Sequence, residues 1–314
     1  MRDAGRLPYN RHTVVVPLFN KAGWIGETIA SLAKQTQPPD QLVIVDDAST
    51  DGSMEAAYDA LSAHCAALSG CRIDIVALPR NRGPGAARNA GLALAEGETI
   101  SFHDADDTYR ADALHMIRER MRSHRLGMAV LGYASVPQGE RWPEPNTLIA
   151  GLVPLEVDTF LMTDPLRTVA HPGFSMGRAS NVAVRRTLLN HFKYHTGSRL
   201  NEGVDFWYRV LRAAVRKGER VGLITEPLIC YRILEDSLSN RLPSHWRELE
   251  VPPSLLRFAD SCDADDQRLN AMLARRWVDH AHKTLPNPAQ IRDFLSHHHP
   301  LLVQCGVADA EVAP

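Results

Sequence analysis

The feature that most constrains this chain is the alternation, over its first 135 residues, of short β-branched runs with helix-patterned segments. Thr13 to Val16 is a continuous apolar strand ended by Pro17, and Leu42 to Val45, Ile73 to Leu78 and Thr99 to Phe102 repeat the pattern. Between the first two, Ile25, Ile29, Leu32 and Ala33 fall on one face of a helix from Trp24 to Gln35. The polar turn Ala48 to Ser53 opens a second helix running towards Leu68, and Ala86–Ala95 and about Ala111–His124 read as two more. A strand near Met128 to Tyr133 follows. Such alternation predicts an α/β fold, a mostly parallel sheet covered by helices on both faces.

Ligands of such sheets bind at the carboxyl ends of the strands, where loops converge. That rule selects three unusually polar strand exits: Asp46-Asp47, Arg80 to Gly85, and His103 to Asp107. The last is the sharpest. Asp104, Asp106 and Asp107 repel one another unless a cation or strong donors offset them. Oxygen-only ligands suit Mg²⁺ or Mn²⁺, which keep waters and share a substrate phosphate. The plainer reading is a helix start decorated with acids. Asp46 and Asp47 can accept hydrogen bonds from a base N–H or ribose hydroxyls. Gly83 and Gly85 allow close backbone approach, and Arg80 and Arg82 supply charge for phosphate. Together the three exits point to a metal–nucleotide site.

The second half is less regular. Pro137 to Asn146 reads as a loop, Arg178 to Val184 as a strand and Asp205 to Lys217 as a helix. Arg220–Ile224 and Leu228–Arg232 read as two short strands. From Pro243 the pattern is helical, through Trp246–Phe258, Asp265–His282 and Ala289–His298. Met162 to Gly177, with Pro165 and Pro172, reads either as a lid or as an ordinary surface loop. Trp246 and Trp277 are expected in the core. His297 to His299 read as a solvated helix end, because metal ligands are normally separated on one fixed face.

Charge narrows the partners. Lys and Arg number 35 against 37 Asp and Glu, a net charge of −2, which argues against a nucleic-acid binder relying on a cationic field. No apolar run approaches the roughly 18–20 residues needed to cross a bilayer. The polar start, Met1 to Arg11, has no signal-peptide core. Cys65, Cys71, Cys230, Cys262 and Cys305 are an odd set without metal-type pairing, as expected of free thiols in a reducing compartment. A cytoplasmic protein is the default reading, with room for peripheral contact at the inner face of a membrane.

The motifs resemble those of family 2 glycosyltransferases of the GT-A fold. Val14-Val15-Val16-Pro17-Leu18-Phe19-Asn20 resembles the family's opening strand, and Val43 to Ser53 its second motif. Asn81-Arg82-Gly83-Pro84-Gly85-Ala86-Ala87-Arg88-Asn89-Ala90-Gly91 is similar to the third, and Asp104-Ala105-Asp106-Asp107 to the DxD metal motif. The likeness covers Thr13 to about Leu114 and, more loosely, runs to Arg232. It implies a GT-A domain over 1–240, with a nucleotide-sugar half at 12–135 and an acceptor half at 136–240, then a helical C-terminal extension at 241–314. It also implies a nucleotide-diphosphate sugar donor, most often UDP-linked, and Mn²⁺ or Mg²⁺. By the same resemblance Pro17 and Asp47 hold the base with Asp46 nearby, and Phe19 and Asn20 edge the pocket. Arg88 lies near the nucleotide, Asp104 near the ribose, and Asp106 ligates the metal; Arg80 or Arg82 touches phosphate on charge alone.

Family members usually invert the anomeric centre, with a carboxylate deprotonating an acceptor hydroxyl of a glycan, lipid-linked or peptide acceptor. The base usually sits in an acidic helix start, here Asn201-Glu202-Gly203-Val204-Asp205-Phe206-Trp207-Tyr208-Arg209. Gly203 occupies the usual base position, leaving Glu202 and Asp205, three apart on one helix face, as the catalytic candidates, with Asp205 slightly favoured. The alternative is a slip of register. Downstream, Leu234 stands where the family has a metal-ligand His; His171 and His103 are substitutes that spacing does not place, and Arg232 and Ser237 are diphosphate candidates. Two other readings stay open: a non-catalytic sugar-nucleotide-binding module, suggested by Gly203, and a sugar nucleotidyltransferase, disfavoured by the low glycine content of Leu18 to Gly23.

Overall fold

The structure is a computed structural model that describes residues 11–143, 151–177, 179–198, 201–234 and 242–308. Its first half is β1 (His12–Leu18), α1 (Ile25–Ala33), β2 (Gln41–Asp46), α2 (Ser53–Ala63), β3 (Arg72–Ala77), α3 (Pro84–Leu94) and β4 (Thr99–Phe102). Then follow β5 (Thr108–Tyr109), α4 (Ala113–Ser123), β6 (Leu126–Val136), β7 (Arg141–Trp142), β8 (Leu152–Glu156), β9 (Thr159–Met162), α5 (Pro165–Val169) and β10 (Val182–Arg185). The chain continues through α6 (Glu202–Arg216), β11 (Arg220–Arg232), α7 (Pro253–Arg257), α8 (Ala264–Thr284) and α9 (Pro288–Gln304).

One sheet runs in the order β3-β2-β1-β4-β10-β6-β11-β9-β8. The expected parallel sheet is its β3-β2-β1-β4 portion. Beyond β4 the sheet is mixed: β10 is antiparallel to both β4 and β6, whereas β6 and β11 are parallel. Both faces are buried, which is why the strands read as unbroken apolar runs rather than alternating ones. Val14, Val16 and Leu18 pack with α1 and α4 residues such as Ile29 and Ile117. Val15 and Val43 join the opposite cluster, which extends through Phe206 and Trp207 of α6 to Trp277 and Phe294 of α8 and α9. The C-terminal helices therefore share one apolar cluster with the sheet.

Several boundaries differ from the sequence reading. β1 does not end at Pro17 but continues to Leu18, with Pro17 opposite Val45 of β2. Val15 O accepts from His103 N at 2.9 Å, on the β4 side. Pro17, two residues on, faces the same side, past the end of β4 at Phe102, so its missing N–H breaks no ladder bond. The two short strands expected around Arg220–Arg232 are one strand with bulges near Ile224–Ile229. The two-residue β5 pairs with β11 directly after the Asp-rich exit; it carries no alternation to be seen by. The loop read from Pro137 contains β7, and its residues 144–146 lie outside the described set. Trp246 and Trp277 are buried as expected.

Candidate active site

The β1 and β2 exits are laced together by short polar side chains. Asn20, in the left-handed region at φ 48°, accepts from Thr50 N through Oδ1 at 2.9 Å and donates its own N–H to Ser49 Oγ at 3.0 Å. Lys21 N donates to Ser53 Oγ at 2.7 Å. Phe19 is exposed beside this seam, whereas Pro17 is buried. Asp46, the last residue of β2, and Asp47 just beyond it are buried carboxylates. Asp46 accepts from Ser49 N at 3.2 Å, closing its own turn. Asp47 accepts from Arg82 N at 2.8 Å and Gly83 N at 2.7 Å. Burial pushes the Asp47 carboxyl above its usual range, while those two N–H groups pull it down.

That pair of bonds fixes the β3–α3 loop. Gly83 needs its φ of +85°, which a side chain rarely adopts. Gly85 serves differently from the expectation that a ligand approaches it. The protein's own His195 carbonyl lies against it, where a Cβ would overlap. Arg80 and Arg82 are both exposed.

In His103–Asp107 the acids divide their roles. Asp107 is buried and accepts from Arg232 N at 2.9 Å and Ser180 Oγ at 2.8 Å. Burial, then the charges of Asp104 and Asp106, hold its carboxyl well above the usual range. Ser180 Oγ also accepts from Asp104 N at 3.0 Å, so one hydroxyl joins both residues. Arg232 is a strut rather than a free cation: its guanidinium lies 4.3 Å from the Trp24 ring and donates to the Asp106 carbonyl and to Glu27. Thr28 Oγ1 lies 2.9 Å from Ala105 O and 2.8 Å from Asp107 O, bracing the loop from α1. His103 is fully buried with its ring stacked 4.0 Å from Tyr109, so it does not face the cleft. His171 is exposed, its Nδ1 accepting from Gly173 N. Ser237 lies outside the described residues.

Asp104 and Asp106 remain for the opening. Asp106 pairs with Lys21 Nζ at 2.7 Å. Its carboxyl is raised by burial and by the Asp104 charge, with Lys21 opposing. Asp104 Oδ1 accepts from Arg88 Nη2 at 3.0 Å, and Glu202 Oε1 from Arg88 Nη1 at 2.6 Å. One buried guanidinium therefore joins the β4 exit to the first residue of α6. Burial opposes its charge, but Asp104 and Glu202 outweigh that and hold the Arg88 pKa above its usual value. Tyr194 lies 5.3 Å beneath it and stacks on Phe206 at 3.8 Å.

Glu202 and Asp205 part company despite sharing the first turn of α6. Glu202 faces Arg88, and its Oε2 carries no hydrogen bond among the described residues. Asp205 is fully buried: Oδ2 accepts from Arg209 at 2.8 Å and Oδ1 from Arg257 of α7 at 2.7 Å. It ties the helix to the C-terminal extension. A Cβ placed on Gly203 would overlap Gly177 O, so this backbone has no room for a side chain at the usual base position.

The structure thus brings together Arg88, Asp104, Asp106 and Glu202, and sets Asp205 apart. Lys21, Ser180 and Tyr194 were missed in the sequence. Lys21 had a signal, adjacency to Asn20 in the first motif; Ser180 and Tyr194, from distant segments, had none. Oxygen donors at Asp104 and Asp106 suit a hard divalent ion. Among the described residues no three His, Cys, Asp or Glu side chains converge as a closed cage, so an ion at Asp106 would complete its shell from water and substrate phosphate.

The model of the family described as Glycosyl transferase family 2 matches residues 13–184, spanning all of these strand exits. The chain belongs to glycosyltransferase family 2. The succinoglycan biosynthesis protein ExoO of Rhizobium meliloti (strain 1021) is 31% identical over 233 residues, covering 73% of this chain and 63% of that protein. Glycosyltransferase GlyA of Streptococcus pneumoniae serotype 4 is 24% identical over 236 residues, covering 74% and 32%. The chain therefore spans less than two-thirds of either relative. Among solved structures, S. aureus TarS 1-349 in complex with UDP-GlcNAc superposes with a TM-score of 0.66 at 18% identity, over 94% of this chain and 81% of that one. Mannosyltransferase PcManGT from Pyrobaculum calidifontis, in complex with GDP-Man and Mn²⁺, gives 0.54 at 20% identity, over 99% and 76%. The central sheet flanked by helices is the GT-A fold expected from the motifs. No helix among the described residues is long and apolar enough to cross a membrane.

Proposed function

We propose that this family 2 member transfers a sugar, with inversion, from a nucleotide-diphosphate donor, UDP-linked, to a hydroxyl of a surface-polysaccharide acceptor. The observation that carries the reading is Arg88, whose two terminal nitrogens hold Asp104 on the donor side and Glu202 at the start of α6. A donor bound along the strand exits lies between the seam at Phe19–Asn20, the Asp47-pinned Arg82–Gly83 loop and the Asp104–Asp106 turn. Asp106 holds a divalent ion there, which when bound offsets the charge of the leaving diphosphate. No strong general acid is then required. Exposed Arg82, by its charge, is our candidate for a phosphate contact.

Glu202 is our choice for the base. It is oriented by Arg88 through one oxygen and keeps the other for an acceptor hydroxyl, whereas both oxygens of Asp205 are held by arginines. A place in polysaccharide assembly follows the succinoglycan biosynthesis protein ExoO, and the UDP donor follows the TarS complex with UDP-GlcNAc. The specific observation favouring a second reading, a sugar-nucleotide-binding module, is the filled Gly203 position. Donor turnover separates the two. With purified protein and radiolabelled UDP-sugars, release of UDP should depend on Mn²⁺ or Mg²⁺ and disappear in Asp106→Ala at unchanged melting temperature. Release by Asp106→Ala with the same metal dependence would refute the metal assignment, and donor binding without any turnover would favour the binding module.

A further inference from the structure

Among the described residues, each carboxylate in the cleft already has a protein cation: Lys21 on Asp106, and Arg88 on both Asp104 and Glu202. The two cations differ in how firmly they are held. Arg88 is buried between two carboxylates and over a tyrosine ring. Lys21 has a fixed root and a loose head. Its N–H is bound to Ser53 Oγ, and its carbonyl accepts from Trp24 N and Ile25 N at 2.9 Å, opening α1. Its ammonium, on a four-carbon stem 22% exposed, is held by Asp106 at 2.7 Å. Lysine is a compact point charge that can exchange one oxygen anion for another without rebuilding a fork of hydrogen bonds.

We propose that Lys21 is a resident counter-cation that competes with the divalent ion for Asp106 and yields when a nucleotide diphosphate arrives, so that metal binding is linked to donor binding. The inference rests on the assignment of Asp106 as metal ligand. An ammonium on Asp106 cancels one of the few negative charges a cation could use. A diphosphate brings several more, giving Lys21 another partner and the ion further oxygen ligands. Linkage is reciprocal: whatever factor the nucleotide adds to metal affinity, the metal adds to nucleotide affinity.

The test is Mn²⁺ binding followed by electron paramagnetic resonance of the free ion, with and without UDP, on the wild-type chain, Lys21→Met, Lys21→Arg and Asp106→Asn. Lys21→Met keeps the stem and the backbone bonds; thermal melting checks its fold. Without UDP, Lys21→Met should bind Mn²⁺ at least about tenfold more tightly than wild type, with a correspondingly smaller gain on adding UDP, and Lys21→Arg should stay near wild type. An Mn²⁺ affinity unchanged within about twofold in Lys21→Met would overturn the competition. In that case the metal assignment stands if Asp106→Asn loses Mn²⁺. Retained UDP binding with no Mn²⁺ bound to any variant would remove the metal assignment itself, and the competition with it.

Discussion

The strand exits of β1 and β2 and the first turn of α6 are assembled in opposite ways. The exits of β1 and β2 are held by neighbouring motifs, Asp46 by its own turn, Asn20 by Thr50 and Asp47 by the next loop, whereas the β4 exit, like α6, leans on distant partners in Ser180 and Arg232. The start of α6 is held chiefly by long-range partners, Glu202 by Arg88, 114 residues away, and Asp205 by Arg257, 52 residues away, beside Arg209 in the helix itself. Local bonding writes itself into contiguous motifs. Long-range bonding leaves only an acid near a helix start, and two acids three apart then look alike in sequence though one faces the cleft and the other the C-terminal helices.

The sharpest way to break this contrast is to neutralise the two acids separately. Glu202→Gln should lower turnover by about 100-fold or more, the usual scale for a lost general base, with the stability loss limited because Gln can still accept from Arg88 and Asp104 keeps that guanidinium paired. Asp205→Asn should instead cost about 1–3 kcal/mol in denaturant unfolding, because Arg209 and the partly exposed Arg257 lose their shared counter-charge, while nucleotide affinity survives. The reverse outcome, a stable Asp205→Asn without turnover beside an active Glu202→Gln, would exchange their roles.

Gly203→Asp tests the same boundary from the other side. Because the clash would be with the Gly177 backbone rather than a flexible side chain, we expect a loss of about 3 kcal/mol, near the top of the overpacking range, and no gain in turnover. A faster, equally stable variant would show that this position takes the ordinary base after all.

A smaller effect distinguishes the parallel half of the sheet. His12 is buried, its ring bonded to Thr99 and Ser101, and burial, with Arg118 nearby, lowers its pKa to about 3. The unfolded chain, near the ordinary value, binds the proton first, so this contribution is complete above about pH 6.5 and lost as pH falls. Between pH 7 and 5 that amounts to about 2 kcal/mol. His12→Gln, whatever its stability at pH 7, should lose correspondingly less over the same interval in urea titrations; equal losses would place the acid sensitivity elsewhere.

The parallel strands and their polar exits were readable because a twice-buried strand must be continuously apolar, and the loop beyond it must turn polar. Pro17 was misread because its missing N–H could be judged only by knowing that β4 ends beside it. The mixed half, with β10 inserted between β4 and β6, arises from pairings across 52 to 86 residues and has no local signature. In the site, Arg88, Asp104 and Asp106 came from motifs. Their partners came from packing: Lys21 from the head of α1, Ser180 from the turn before β10, and Tyr194 from beneath α3. What separates Glu202 from Asp205 in the fold is likewise Arg257, in a helix that no motif connects to α6.

A donor site on the strand exits that needs a metal at Asp106 must show itself in nucleotide binding. It is tested most directly by calorimetric titration of UDP, GDP and dTDP into the purified protein with and without Mn²⁺. UDP should bind selectively, more tightly with Mn²⁺, and lose that gain in Asp106→Asn. Failure of all three nucleotides to bind, with or without the ion, would contradict it.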